Sequence, residues 1–194
     1  MRLQSETGNP GSGRALKKAR KERRIIVLVD ESGLSERPHR VRTWAPRGQT
    51  PIVRHRFTWK NVSIIAGITQ RSFYFKLCDG AVRTPFVITY IKHLRRHPAS
   101  AGLLIIWDGV AMHRARLLTQ YLSDLKGEVI CYRLPAYAPE LNPAEYIFGY
   151  LKEHKLGNYC PDSVAELKRT ASKALASMRQ RKSLLHSFWK AAKL

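Results

Sequence analysis

Two short apolar runs that each stop at an aspartate constrain the fold of this chain most. Residues 25–29 (IIVLV) precede Asp30, and residues 103–107 (LLIIW) precede Asp108. Such runs predict buried strands. If the two strands are parallel neighbours, both carboxylates emerge at one edge of the sheet, where open α/β sheets bind their ligands. Glu31 competes with Asp30 because side chains alternate along a strand, and the spacing alone leaves both residues open.

A third acid, Glu145, lies at a predicted helix start. Asn142 is suited to the N-cap and Pro143 to the first helical position, which puts Glu145 at the third. Capping alone explains a glutamate there, although a cap and a metal ligand are compatible roles. Three carboxylates from separate elements would suit hard cations such as Mg²⁺ or Mn²⁺. Two such ions about 4 Å apart can activate the attacking oxygen and stabilise the leaving oxygen in phosphodiester cleavage.

The charge of the chain indicates a polyanionic partner. Its 194 residues contain 35 Lys and Arg against 14 Asp and Glu, for a net charge of +21. This balance favours nucleic acid over the alternative, an anionic membrane surface. The longest apolar runs are about five residues, far below the roughly 20 of a membrane span. The N-terminus lacks the apolar core of a signal peptide, and three widely spaced cysteines fit reduced thiols, so we expect a cytoplasmic, DNA-associated protein.

Hydrophobic periodicity and turn residues predict a mixed sheet covered by helices, in the α/β class. Strands are expected at 24–30, 41–44, 62–69, 73–78, 103–107 and 128–134. Helices are expected from Thr84, as N-cap, to Pro98, and over 113–125, 142–155, 161–180 and 183–193. The basic segment 14–24 fits either a short helix or an unfolded arm. We divide the chain into a flexible basic arm (1–23), a catalytic domain (24–158) and a C-terminal helical extension (159–194).

Histidines give weaker signals. His113 follows Asp108 by five residues and could approach a phosphate, but a core or surface histidine is the favoured interpretation. His93 and His97 have the i, i+4 spacing of a zinc pair, but without further ligands nearby a surface pair is favoured.

Four ordered blocks resemble the DDE endonuclease domain of insertion-sequence transposases related to the mariner group. They are the acidic block 30–33 (DESG), the segment 42–51 (RTWAPRGQTP), the block 107–109 (WDG) with His113 and Arg114, and the segment 134–145 (LPAYAPELNPAE). The resemblance runs from about residue 24 to residue 156. The 36 residues between Asp108 and Glu145 lie in the range of that family.

The resemblance implies an RNase H-like fold, with a mixed five-stranded sheet flanked by helices. It also implies Asp30, Asp108 and Glu145 as the metal-binding triad, holding two Mg²⁺ or Mn²⁺ ions. The activity implied is DNA strand cleavage by water, followed by attack of the freed 3′-hydroxyl on target DNA. Candidate phosphate contacts are Arg47, Lys152 and Lys155, although a solvent-facing side chain is the favoured interpretation of each residue taken singly. The partners implied are element-end and target DNA, and a second copy of the chain in a homodimer on DNA.

The chain differs from members of that family in one respect. Family members usually carry helix-turn-helix domains before the catalytic core, whereas about 23 residues precede the first predicted strand here. A separately encoded helix-turn-helix portion would account for this. Two other activities remain open at this point: a hydrolytic nuclease without strand transfer, and a catalytically idle DNA-binding transposase remnant.

Overall fold

In a computed structural model, the chain forms a five-stranded mixed sheet with helices on both faces. The structure describes residues 11–55, 60–96, 102–107, 115–134 and 141–192. The elements in chain order are α1 (Gly11–Lys21), β1 (Ile25–Ser35), β2 (Asn61–Ile68), β3 (Phe73–Asp79), α2 (Thr84–Leu94), β4 (Leu103–Trp107), α3 (Arg116–Asp124), β5 (Val129–Arg133), α4 (Pro143–Tyr150), α5 (Val164–Gln180) and α6 (Lys182–Ala191). A π-helical turn, Leu151–Lys155, continues α4.

The strand order is β3-β2-β1-β4-β5. The first three strands form an antiparallel meander, and β4 and β5 then add in parallel beside β1. Parallel addition needs a crossover connection, and α2 and α3 lie in the two connections that lead to β4 and β5. The predicted α/β sheet covered by helices is confirmed.

Side-chain alternation along β1 builds a core on each face of the sheet. Leu28 belongs to the cluster that contains Ala144 and Ile147 of α4, as well as buried residues of α5 and α6. Val27 and Val29 belong to the opposite cluster, with residues of α2 and α3. On that second face the tight approach of β2 to α2 requires a glycine, since a Cβ on Gly67 would lie 2.6 Å from the Tyr90 hydroxyl.

Several predicted bounds were wrong. β1 does not stop at Asp30 but continues to Ser35, because β2 stays paired with it as far as Ser35 opposite Asn61. No strand forms over 41–44, where the backbone of Val41 is bound by the side chain of Asn158. The N-cap of α2 is Arg83 and not Thr84.

The N-terminal segment takes the helical form of the two considered. Residues 11–21 form α1, and Ala19 is buried in the same core cluster as α4, α5 and α6. Residues 1–10 lie outside the described part of the chain. The division into three regions stays a prediction. In the described residues, α1, α5 and α6 all contribute to the core that covers β1.

None of the helices within the described ranges combines the length and the apolar character that crossing a bilayer would require.

Candidate active site

The first predicted ligand, Asp30, lies where β1 loses its parallel neighbour. β1 and β4 pair from Ile25 opposite Leu103 to Val29 opposite Trp107, where β4 ends. Asp30 is the next residue of β1 and is half-buried. Asp108 is the residue that follows Trp107 in the sequence, and it lies outside the described residues. The parallel register expected of these two strands is therefore observed, while the position of the second carboxylate stays a prediction.

Strand alternation separates Asp30 from Glu31. The register of β1 against β2 is unbroken from Leu28 to Ser35, so no bulge changes the alternation. Asp30 therefore shares the face of Leu28, which is covered by α4. Glu31 shares the face of Val29, which is covered by α2 and α3. This alternation favours Asp30 over Glu31 as the residue that can act together with a metal ligand on α4.

The start of α4 is tied directly to β1. Asn142 is the N-cap, and its side-chain oxygen accepts a hydrogen bond from the backbone N–H of Ala144 at 3.2 Å. Its side-chain nitrogen donates to the backbone carbonyl of Val29 at 3.4 Å. Asn142 is only 2% exposed, so both bonds lie inside the protein. They fix the first turn of α4 beside the residue that precedes Asp30.

Glu145 is exposed on this first turn, at the third helical position. A carboxylate there also interacts favourably with the helix dipole. The predicted N-cap Asn142 and the first helical residue Pro143 are both observed. Asp30 and Glu145, two of the three predicted ligands, thus belong to β1 and α4. These two elements are hydrogen-bonded to each other at Val29, the residue before Asp30.

Lys152 adds a positive charge on the Asp30 side of β1. It lies in the π-helical turn after α4, and its Nζ donates to the Ser32 hydroxyl at 2.8 Å. Ser32 is two residues beyond Asp30 and therefore on the same face of β1. Burial lowers the pKa of Lys152, and the negative charge of Asp30 opposes that shift. The ammonium group is therefore held within electrostatic reach of the Asp30 carboxylate.

The other two candidate phosphate contacts are exposed. Lys155 ends the π-helical turn, and Arg47 lies in the connection between β1 and β2.

Two clefts flank α4 and its π-helical turn. The first, of about 290 Å³, is lined by residues of the β1 end and the π-helical turn, among them Ser35, Arg37, His39, Lys152 and Tyr159. The second, of about 450 Å³, is lined by Glu145, Tyr146, Gly149, Tyr150, Glu153, His154 and Phe188. Both clefts therefore open beside residues of the candidate site.

Some predicted features cannot be followed in the structure. His113, His97 and residues 135–140 of the third acidic block lie outside the described residues. Within the ranges that are described, no group of three or more His, Cys, Asp or Glu side chains is arranged to hold a metal ion. His93 packs edge-on against Tyr74, with ring centroids 6.5 Å apart.

Sequence reasoning missed two contacts around the site. Ser32 lies beyond the predicted strand 24–30, although it belongs to β1 and binds Lys152. Asn158 was not singled out, although its amide binds both backbone groups of Val41. The position of Asn158 just after a helix is a signal for a left-handed residue, and its φ is +56°.

Comparisons with solved structures agree with this fold. A pre-cleavage Mos1 transpososome matches with a TM-score of 0.68 at 17% identity, covering 100% of this chain and 65% of that chain. The Mos1 transposase paired-end complex with left transposon end matches with a TM-score of 0.66 at 19% identity, covering 99% and 61%. The catalytic domain of Mos1 mariner transposase matches with a TM-score of 0.61 at 17% identity, covering 93% and 82%. The predicted RNase H-like fold is confirmed.

The chain spans less than two thirds of the transposase chains in the Mos1 transpososome and in the Mos1 paired-end complex. No curated protein sequence matches it. The family model described as DDE superfamily endonuclease matches residues 25–168, well over half of the chain, from the first residue of β1 into α5. With Val29 in register with Trp107 and Asn142 bonded to Val29, this match identifies the chain as a member of the DDE superfamily endonucleases.

Proposed function

We propose that this chain is the catalytic part of a transposase, which cuts DNA strands in a metal-dependent reaction and joins the freed 3′-hydroxyl to target DNA. The observation that carries the proposal is the meeting of β1, β4 and α4. Val29 and Trp107 are opposite each other in parallel strands, and each is followed in sequence by an aspartate. Asn142, the N-cap of α4, lies three residues before Glu145 and donates a hydrogen bond to the backbone carbonyl of the same Val29.

The donor set fits a hard divalent cation. Asp30, Asp108 and Glu145 would supply carboxylate oxygens only, which suits Mg²⁺ or Mn²⁺. Mos1 structures with Mn and with Mg support this choice by analogy. Two bound ions would activate the attacking oxygen and stabilise the leaving oxygen of the phosphodiester.

The residues around the triad have their own roles in this proposal. Asn142 positions Glu145 by fixing the first turn of α4 to β1. Lys152, held beside Asp30 by Ser32, would bind a backbone phosphate next to the reacting one. Arg47 and Lys155 are exposed cations that would bind phosphates farther along the DNA.

DNA is the partner that the charge favours. A net charge of +21 promotes binding to the phosphate backbone, with strong salt dependence. Among the structural relatives, a Mos1 transposase complex with the left transposon end is the analogy for element-end DNA, and a Mos1 strand transfer complex is the analogy for joining. A homodimer on DNA and a DNA-associated place in the cytoplasm complete the proposal.

The test uses purified chain with Mg²⁺ or Mn²⁺ and two substrates: a supercoiled plasmid, and an oligonucleotide with a pre-cut 3′-hydroxyl end. Nicking of the first and joined products from the second are expected. Asp30→Asn, Asp108→Asn and Glu145→Gln should each abolish both reactions while DNA binding persists. Glu31→Gln is the matched control, because Glu31 belongs to the opposite face of β1. Nicking without joined products would show that the protein is a hydrolytic nuclease without strand-transfer activity. Salt-dependent DNA binding without any cleavage by the wild type would refute the catalytic assignment.

A further inference from the structure

Residues 37–55, which follow the buried Glu36 after β1 and are called the β1–β2 loop below, form a basic segment with an exposed aromatic residue. Every residue from 42 to 54 is exposed. Residues 37–55 contain five arginines and no aspartate or glutamate. Trp44 is 99% exposed and Ile52 is 81% exposed. A tryptophan this exposed presents a large apolar surface to solvent, although a single exposed apolar side chain is common.

The base of this loop is fixed to the helix that carries Glu145. The Asn158 side chain accepts from the Val41 N–H at 3.1 Å and donates to the Val41 carbonyl at 2.9 Å. The Asn158 backbone N–H donates to the His39 carbonyl at 2.8 Å. A Cβ on Gly157 would lie 2.7 Å from a Val41 methyl group, so the two segments are in close contact. Since Asn158 follows the π-helical turn that extends α4, the loop base is held relative to the candidate site.

A basic path connects the site with the loop. Lys152, which binds Ser32 next to Asp30, also lines the cleft of about 290 Å³. Arg37 and His39 line the same cleft at the loop base. Arg40 and Arg42 follow, four and two residues before Trp44. Phosphates of one strand could bind along this series of cations.

We propose that the β1–β2 loop binds an unpaired DNA strand next to the candidate site, with Trp44 stacking on an unstacked base and the loop arginines binding its phosphates. Aromatic side chains among cations are the general means of binding single strands, because every base has a face on which an aromatic ring can stack. The charge argues against a second copy as the occupant of Trp44, because two acid-free loops of a chain with net charge +21 would repel each other.

The proposal rests on DNA being the substrate of the proposed function, and binding measurements test it separately from catalysis. Fluorescence anisotropy would compare a labelled single-stranded oligonucleotide with its duplex, without divalent metal. Trp44→Ala should weaken single-strand binding by at least about fivefold, with an unchanged salt dependence because no charge is removed. Trp44→Phe should retain most of the affinity. Ile52→Ala, an exposed apolar control in the same loop, should bind as the wild type does. Arg42→Gln should weaken binding and reduce the salt slope by about one.

Equal affinity of Trp44→Ala and wild type for the single strand would overturn the proposal. So would an equal loss for single strand and duplex. A fall in dimer content in sedimentation equilibrium, with unchanged DNA affinity, would assign Trp44 to a contact between two copies and refute base stacking. Nicking by the wild type together with unchanged binding of Trp44→Ala would refute only this inference. Loss of binding in Trp44→Ala with no nicking by the wild type would support the loop and refute the catalytic proposal.

Discussion

The Asn142 side chain donates to the backbone carbonyl of Val29 and so ties the start of α4 to the strand that carries Asp30. The same side chain caps α4 by accepting from the N–H of Ala144. One buried amide therefore performs two tasks: it starts the helix, and it fixes where the third position of that helix, Glu145, lies relative to β1. A serine could perform the first task but is too short for the second.

Substitutions of Asn142 should separate capping from positioning. Asn142→Ser keeps a good N-cap and loses the Val29 bond, so the free energy of unfolding should fall by about 1 kcal/mol. Asn142→Ala loses both and should cost about 2 kcal/mol. Urea denaturation measures both values, and nicking assays should show reduced activity in both variants. Equal stability of the two variants would contradict the capping role, and full activity of Asn142→Ser would contradict the positioning role.

The two acidic residues of β1 should differ in metal-dependent activity. Asp30→Asn should reduce nicking by at least about 100-fold, in line with the loss of a carboxylate that acts on the reacting charges. Glu31→Gln should stay within a few-fold of the wild type, because its side chain belongs to the opposite face of the sheet. Chelation by EDTA should abolish nicking by the wild type, and added Mn²⁺ should restore it. The reverse order of the two variants would assign the ligand to Glu31.

The stability of the protein should depend on the charge of Lys152 at alkaline pH. Burial lowers the pKa of Lys152 in the folded state below the usual lysine value of 10.5. The unfolded chain therefore binds more protons between the lowered pKa and 10.5, so this residue makes folding more favourable as the pH rises through that window. The free energy of unfolding of the wild type should therefore rise relative to that of Lys152→Met as the pH rises from the lowered pKa towards 10.5.

Denaturation of both proteins at several pH values measures this difference. Leu117→Ala is the control, since Leu117 is an exposed apolar residue of α3 and its substitution should give an offset that does not change with pH. A constant difference between wild type and Lys152→Met over the same pH range would show that the lysine is solvated as fully in the folded as in the unfolded state.

The sequence predicts the sheet and its helices well where the pattern is local. Apolar runs identify β2, β3, β4 and β5, and Asn142-Pro143 identifies the start of α4. The end of β1 is different, because residues 31–35 contain a single apolar side chain, Leu34, and stay in the strand through pairing with β2. Likewise, residues 41–44 have the composition of a strand but no strand to pair with, and Asn158 binds Val41 instead.

The choice between Asp30 and Glu31 shows what sequence alone leaves open at the site. Alternation requires that the two side chains belong to opposite faces, but the covering helices determine which face is which. Only the packing of Leu28 with Ala144 and Ile147 assigns the Asp30 face to α4. The contact of Lys152 with Ser32 joins residues 120 positions apart, and no local pattern signals it.

Release of the β1–β2 loop from Asn158 should increase its motion without unfolding the protein. Asn158 has a φ of +56°, which glycine adopts without strain, so Asn158→Gly removes the amide contacts and keeps the backbone. Two lost hydrogen bonds should lower the free energy of unfolding by about 1–2 kcal/mol. The Val41 amide should then exchange with deuterium faster, and trypsin should cut faster after Arg40 and Arg42.

Asn158→Asp is the matched comparison, because it keeps the acceptor for the Val41 N–H but loses the donor to the Val41 carbonyl. Its exchange and cleavage rates should lie between those of the wild type and Asn158→Gly. Unchanged Val41 exchange in Asn158→Gly would mean that the close contact with Gly157 alone holds the loop base. Faster exchange with undiminished single-strand affinity would mean that the loop binds DNA without being fixed to α4. The outcome therefore decides whether the loop is positioned by the helix that carries Glu145 or only attached to the same chain.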